Sequence, residues 1–389
     1  MQRRTFLAGS LAGPLMAESP LRVGVVGAGG RGQYLIEQFK EIGASIAAIC
    51  DVYEPNLQRG IASASTGASP FRDYRKLLDD RSIEAVVIAT PDHWHARMGI
   101  DAVEAGKDVY LEKPLAHTID EGFALVDAVR RTQRVLQVGT QRRSAELFRR
   151  ARQYATVAEL GDVRLVTSLW LNRQSGLSHR PLEGPLDWKQ WLGTAPERPL
   201  DPVRFFNWYY FWDYSGGLLV GQAAHIVDAI HWFMNSREPS AVTCTGGRVN
   251  LEGAEVPETA SLAIEYPQNY LATFTIGYQA MRYHPFNDQL VQFHGSKARL
   301  DLGREKYALI EASEAMDLKP RVEVNEPGSF GPATRAHIRN FIECVRTRKE
   351  PSAPVEAGQS TNIVLCMALE SLRSGRRLRW NGERRRVEA

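Results

Sequence analysis

The chain predicts an α/β protein of two domains: a doubly wound parallel sheet at the N-terminus, then an α+β domain with an open, largely antiparallel sheet. Three observations carry this. Between about residues 20 and 145, short apolar runs alternate with helical patterns, as parallel strands joined by crossover helices do. The first run ends on Gly27-Ala28-Gly29-Gly30-Arg31-Gly32, a glycine cluster between a strand and a helix. Beyond residue 145 the apolar period changes to the alternation of antiparallel strands.

The first-domain strands are expected at Arg22 to Val26, Ser45 to Cys50, Ala85 to Ala89, Asp108 to Leu111 and Val135 to Val138. A helix should begin near Gly30. Gly27, Gly29, Gly30 and Gly32, with Arg31 among them, suit a turn in which the backbone must fold tightly. Such a turn lets a pyrophosphate approach the free N–H groups of the helix start. Asp51 closes the second strand, about 20 residues further on, where a carboxylate accepts from both ribose hydroxyls of a dinucleotide. Val52-Tyr53-Glu54 follow without an arginine, which favours NAD over NADP. A helix N-cap is the other reading of Asp51. Residues 20–145 are thus expected to form a Rossmann domain for NAD.

Residues 146–389 should form the second domain, which binds substrate and mediates oligomerisation. Its strands are expected at Arg164 to Leu171, Ala241 to Thr245, Ala260 to Glu265, Leu271 to Gly277 and Leu290 to His294. Helices are expected over Gly221 to Phe233, 334–347 and 356–374, with Gly328 to Pro332 as a loop. Lysine and arginine total 48 against 45 acidic residues, a net charge of +3 that leaves no patterned basic face for nucleic acid. Arg376, Arg377, Arg379 and Arg384 to Arg386 read as a solvated tail. The four cysteines are widely spaced, so no disulfide framework is expected.

Residues 1–17 have the form of a twin-arginine signal peptide: Arg3-Arg4, then Phe6-Leu7, then a short apolar stretch ending at Ala17. Export to the periplasm is the expectation, with a cytoplasmic location if the signal does not function. No later segment approaches the about 18 apolar residues of a membrane helix, so no span is expected in the mature protein.

Two further motifs end the third and fourth strands: Thr90-Pro91-Asp92-His93-Trp94-His95 and Glu112-Lys113-Pro114. With Gly139-Thr140-Gln141-Arg142-Arg143, Asp187-Trp188, Trp191-Leu192-Gly193, Gly216-Gly217, His225-Ile226-Val227-Asp228 and His337 to Phe341, they span nearly the whole chain. Together they resemble the Gfo/Idh/MocA family, which includes glucose–fructose oxidoreductase and inositol dehydrogenase. The resemblance implies an NAD(P)-dependent oxidoreductase that moves hydride between a sugar or glycoside secondary hydroxyl and a nicotinamide cofactor, and export away from the soluble NAD pool would require that cofactor to be tightly bound. It also implies a homodimer or homotetramer joined through the open sheet. Thr90, Pro91, Asp92, His95, Glu112, Lys113 and Gln141 would lie at the cofactor by the same analogy.

Lys113 is the first catalytic candidate, because a desolvated lysine beside a cationic nicotinamide is driven toward its neutral form. The resemblance gives it the reacting hydroxyl. His225 is the second, as general base. Family dehydrogenases carry an aspartate four residues before this histidine, where Gly221 stands here; Gln222 and Asp228 are the nearest polar replacements. Trp94, Arg142, Trp170, Asn172, Arg180, Trp208 and Tyr214 suggest a carbohydrate, polyol or glycoside pocket. His93 and His95 alone are too few for a metal site, which needs at least three protein ligands, and none is expected. Two other functions stay open: redox-neutral glycoside cleavage through a transient keto-sugar, and a non-catalytic NAD- or sugar-binding role. A vestigial structural role is a further class.

Overall fold

The structure, a computed structural model, describes residues 19–172, 176–249, 251–278, 289–314 and 319–388. The expected signal peptide lies outside the described residues. None of the described helices is long and apolar enough to cross a membrane.

The first sheet holds β1 (Arg22–Val26), β2 (Ser45–Cys50), β3 (Ser69–Phe71), β4 (Ala85–Ile88), β5 (Asp108–Leu111) and β6 (Leu136–Val138). All pairings are parallel, in the order β3-β2-β1-β4-β5-β6. The sequence signal missed β3, a three-residue Ser-Pro-Phe strand. Its proline cannot donate to a ladder, and the strand is tolerated because it lies at the sheet edge. The order reverses between β1 and β4, which opens a crevice at the carboxyl ends of those strands. The glycine turn after β1 and Thr90 after β4 both face it.

The second sheet has ten strands: β7 (Val163–Asn172), β8 (Ala241–Gly246), β9 (Ala260–Tyr266), β10 (Tyr270–Tyr278), β11 (Gln289–Gly295), β12 (Ala298–Gly303), β13 (Lys306–Glu311), β14 (Val322–Asn325), β15 (Leu378–Asn381) and β16 (Arg386–Glu388). Their order is β14-β13-β12-β11-β7-β10-β9-β8-β15-β16, antiparallel except where β7 lies parallel to β10. One face buries Ile264, Phe274, Val291 and Phe293 against the helices Gly217–Met234 and Val355–Ser374. Strict alternation of buried and open positions in β9 and β11 reports the opposite, barer face.

The basic C-terminal stretch is not a solvated tail, which corrects the expectation. It forms β15 and β16 at the sheet edge, anchored by Leu378 and by Trp380, which stacks on Phe123 and donates from Nε1 to Glu238 at 2.8 Å. Arg377 pairs with Glu265 at 2.6 Å. Charge concentrated on an edge hairpin discourages pairing with another chain.

Two segments tie the domains together. The helix Ala333–Thr347 turns Ile338, Phe341 and Cys344 into the core of the first domain beside Leu35 and Phe39. His337 on that helix bonds the Val138 carbonyl at 2.9 Å and Ser144 at 2.8 Å. The segment 177–214 folds back over the end of β2. Glu54 N–H donates to the Pro185 carbonyl at 2.9 Å, and Asp187 N–H donates to Val52 at 3.0 Å. Its aromatic residues pack with Tyr53 in a cluster of their own. All four cysteines are free.

Candidate active site

The glycines divide their work. Gly27 has φ +86°, and a Cβ there would stand 2.7 Å from the Ala89 carbonyl. At Gly32 a Cβ would lie 1.9 Å from the Gly27 carbonyl oxygen, so the helix Gly30–Glu41 can start against the turn only without a side chain. A Cβ on Gly30 would meet nothing within 4 Å, and one on Gly29 only Asn56 at 3.8 Å. The first pair therefore shapes the turn, and the second keeps an open cradle before a helix N-terminus, which suits a pyrophosphate. Gly32→Ala should weaken NAD binding by at least tenfold; cofactor released from denatured protein, measured against protein, reads this directly.

Asp51 accepts from Ala28 N–H at 2.8 Å, Tyr53 N–H at 2.9 Å and Asn56 Nδ2 at 3.2 Å. Burial pushes its carboxyl up, and these three donors work the other way. The carboxylate thus braces the glycine turn while facing the cleft that Gly29, Gly30, Thr90 and Pro91 also line. Three arginines the local sequence did not announce, Arg59, Arg72 and Arg75, reach the same cleft. Asn56, Glu54 and Asp73 respectively engage them. The Thr90 hydroxyl oxygen in this wall is buried without a partner, as is Gln141 Oε1 after β6. Cradle, carboxylate and orphaned hydroxyl fit a dinucleotide.

Segment 177–214 adds the outer wall. Trp94 donates from Nε1 to the Trp191 carbonyl at 2.8 Å, and Trp191 stacks on Trp188 at 4.7 Å. Gly193 has φ +58° where a Cβ would come within 2.3 Å of the Trp94 ring. Arg180 lies 3.9 Å over Phe206, and both, with Trp208, line this cleft. Arg180 is therefore on the dinucleotide side rather than beside His225.

The strand-end motifs interlock. His95 is buried, with Nδ1 2.6 Å from the Pro114 carbonyl and Nε2 2.9 Å from the Thr90 carbonyl. It braces the two motifs against each other and is not in the cleft wall. Asp92 is also buried and accepts from Ser215 Oγ at 2.6 Å. Burial pushes its carboxyl up. Burial drives the His93 imidazole down to about 3. Glu112 takes Arg31 Nε at 2.7 Å. Burial opposes the Arg31 charge, and Glu112 with the Tyr110 and Tyr34 phenols together hold it above its ordinary range.

Lys113, joined to Pro114 by a cis peptide, donates from Nζ to the Gly221 carbonyl at 3.1 Å. Burial holds its ammonium below the ordinary lysine range, with the Glu112 and Asp92 carboxylates acting in opposition. His225 lies one helical turn past Gly221. Burial, then the charges of Lys113, Arg142 and Arg31, hold it well below its ordinary value, so it is neutral. Its Nδ1 is buried without a partner, and its ring lies 6.0 Å from Trp170. Arg142 packs its guanidinium between Trp170 at 5.2 Å and Phe148 at 5.3 Å and bonds Gln289. Lys113, His225, Trp170 and Arg142 thus form one group.

Besides Arg180, two further expected substrate residues lie elsewhere. Asp228 is buried, with both oxygens accepting from Arg143 Nε at 2.9 Å, and its side chain is 1% exposed, so it is turned to Arg143 rather than to an open site. Tyr214 is fully buried between Trp191 and His93, inside the aromatic cluster. Gln222 is half-buried beside Gly221, and the Asn172 side chain lies outside the described residues. Among the described residues, no three histidine, cysteine, aspartate or glutamate side chains gather as metal ligands.

A Rossmann switch point with an open glycine cradle, and a lysine held below its ordinary range at the next strand end, is the arrangement of a nicotinamide-binding domain. The chain belongs to the Gfo/Idh/MocA family. Residues 21–140 match that oxidoreductase family's NAD-binding Rossmann fold, and 195–379 match its C-terminal alpha/beta domain. The chain is similar to an uncharacterized oxidoreductase of Bacillus subtilis, 26% identical over 90% of this chain and 94% of that one. It is 37% identical to an alpha-N-acetylgalactosaminidase of Shewanella oneidensis, over 29% of this chain and 27% of that relative's length. In fold it is similar to the WlbA dehydrogenase of Bordetella pertussis, solved with NADH and UDP-GlcNAcA, with TM-score 0.70, 21% identity and coverage of 93% and 99%. It is also similar to levoglucosan dehydrogenase, solved with NADH and L-sorbose, with TM-score 0.74, 20% identity and coverage of 93% and 99%.

Proposed function

We propose that the protein oxidises a secondary hydroxyl of a sugar, polyol or glycoside, with NAD held tightly as the hydride acceptor. Lys113 carries this reading: a buried amine at a strand end, hydrogen-bonded to the helix of a neutral histidine. When bound, the nicotinamide supplies the hydride-accepting carbon. The chain supplies the rest. The Lys113 amine takes the hydroxyl proton, Glu112 and Asp92 stabilise the ammonium formed, and His225 Nδ1 is open to a second substrate hydrogen bond. Trp170 offers an aromatic face to a sugar ring. The sugar ligands of the two solved neighbours and the glycosidase relative support the substrate class.

A redox-neutral cycle is the second reading, favoured by the glycosidase relative and by glycine at 221. Oxidation to a ketone acidifies the neighbouring C–H. Neutral His225 can take that proton while the glycosidic oxygen leaves with its bonding electrons and is protonated by water; the hydroxide formed adds to the enone as His225 gives its proton back to carbon, and Lys113 would return a proton to the carbonyl oxygen when a bound nicotinamide restores the hydride. Export through the Arg3-Arg4 signal to the periplasm would suit such a cycle, since the cofactor then need not exchange. Pairing of the barer sheet faces would give the homodimer or homotetramer.

Purified protein should carry NAD through gel filtration. Free hexoses, polyols and 4-nitrophenyl glycosides should then be tested for reduction of that bound NAD and for nitrophenol release. Bound NADH accumulating with a sugar supports simple oxidation, and nitrophenol without NADH supports the cycle. Neither signal from any compound would sink both readings.

A further inference from the structure

Residue 221 lies one helical turn before His225, so a side chain there would share the face of that histidine. The carbonyl of Gly221 accepts from Lys113 Nζ, so residue 221 adjoins both catalytic candidates. The space is already filled. A Cβ on Gly221 would fall 1.6 Å from the Tyr209 hydroxyl oxygen, 2.5 Å from Cζ and 2.8 Å from Cε2 of the same ring. Tyr209 thus enters end-on and presents its hydroxyl where the 221 side chain would begin.

The phenol is held there. It belongs to the short turn Trp208–Tyr210, whose Tyr210 carbonyl accepts from the N–H groups of Glu255 at 3.0 Å and Val256 at 3.2 Å. The rings of Trp208 and Tyr210 flank Tyr209 at 5.6 Å and 5.7 Å. Burial, with the Asp92 charge, pushes its hydroxyl well above the ordinary tyrosine range. It therefore stays a neutral donor, whereas a carboxylate on residue 221 would be an ionised acceptor.

We propose that Tyr209 is a substrate-contacting residue, whose hydroxyl donates a hydrogen bond to a substrate oxygen beside Lys113 in place of any side chain at 221. This rests on the sugar-oxidising reading above. Donation rather than acceptance favours an oxygen with developing negative charge, or a ketone, over a hydroxyl that must itself donate.

Two sets of variants test it. Gly221→Ala should melt below wild type, and Tyr209→Ala with Gly221→Ala should recover against Tyr209→Ala alone, because the added Cβ then has room. Tyr209→Phe removes only the hydroxyl. Loaded with NADH and titrated with whichever sugar or 4-nitrophenyl glycoside the wild type turns over fastest, it should bind that compound about tenfold more weakly by nicotinamide fluorescence. Its kcat/KM should fall by roughly tenfold to a hundredfold, with NADH affinity unchanged. Tyr209→Phe binding and turning over the compound as wild type does would overturn the proposal. Wild type inactive on every compound would remove the sugar-oxidising reading instead, and this proposal with it, whatever the melts show.

Discussion

Lys113→Met should cut reduction of bound NAD by roughly 10³-fold while leaving the cofactor in place. The amine bonds the Gly221 carbonyl rather than the glycine turn, so methionine of similar length keeps the packing and removes the proposed proton acceptor. The variant also separates function from stability. Burial lowers the folded-state pKa of Lys113 below its unfolded value, so the unfolded chain binds more protons between the two values. Stability contributed by this site therefore rises with pH, and burying the lysine costs stability at any pH below the ordinary lysine range. Lys113→Met should melt no lower than wild type at neutral pH, and any gain should shrink as pH rises toward the lysine range. Lys113→Arg keeps a charge that cannot be given up, so it should be as inactive as methionine. Single-turnover absorbance of the bound nicotinamide, alongside thermal melts across pH, checks both halves. Turnover within tenfold of wild type would remove Lys113 from the chemistry.

The parallel sheet was legible because each of its longer strands is an unbroken apolar run ending on residues with a chemical purpose, as at Val26-Gly27 and Leu111-Glu112. β3 was not, since three residues containing a proline have no periodicity to read. β12 to β16 escaped for a related reason. Charged residues interrupt them, as in Ala298–Gly303, and their burial comes from long-range pairing rather than from local pattern. In the site, the fingerprint, Asp51 and Lys113 were visible because fixed spacing from a strand end determines where they point. Tyr209 was not. It comes from an aromatic run, Trp208 to Trp212, in which nothing local distinguishes the ring that reaches Gly221. The glycine itself was the available clue: a missing side chain on a catalytic face implies that something else fills the space.

Asp228 shows the opposite error, and it carries the largest expected effect on stability. Three residues past His225, it reads as a second polar group for the substrate, yet it meets Arg143 in a buried bidentate pair. The aspartate is 1% exposed and the arginine side chain 12%. Asp228→Ala would leave the guanidinium desolvated without its partner, at a cost of about 3–5 kcal/mol, or a fall in melting temperature on the order of 10 °C. Asp228→Asn keeps a single acceptor and should recover part of the loss. Replacing both partners, Asp228→Leu with Arg143→Met, should cost less than Asp228→Ala, because no charge remains buried alone. The pair also joins the end of the first domain to the helix that carries His225, since Arg143 follows β6 and Asp228 follows His225. Weakening it should therefore lower activity in proportion to the unfolded fraction, with sugar KM unchanged in the folded remainder. A raised KM at temperatures where Asp228→Asn is fully folded would instead return Asp228 to the substrate.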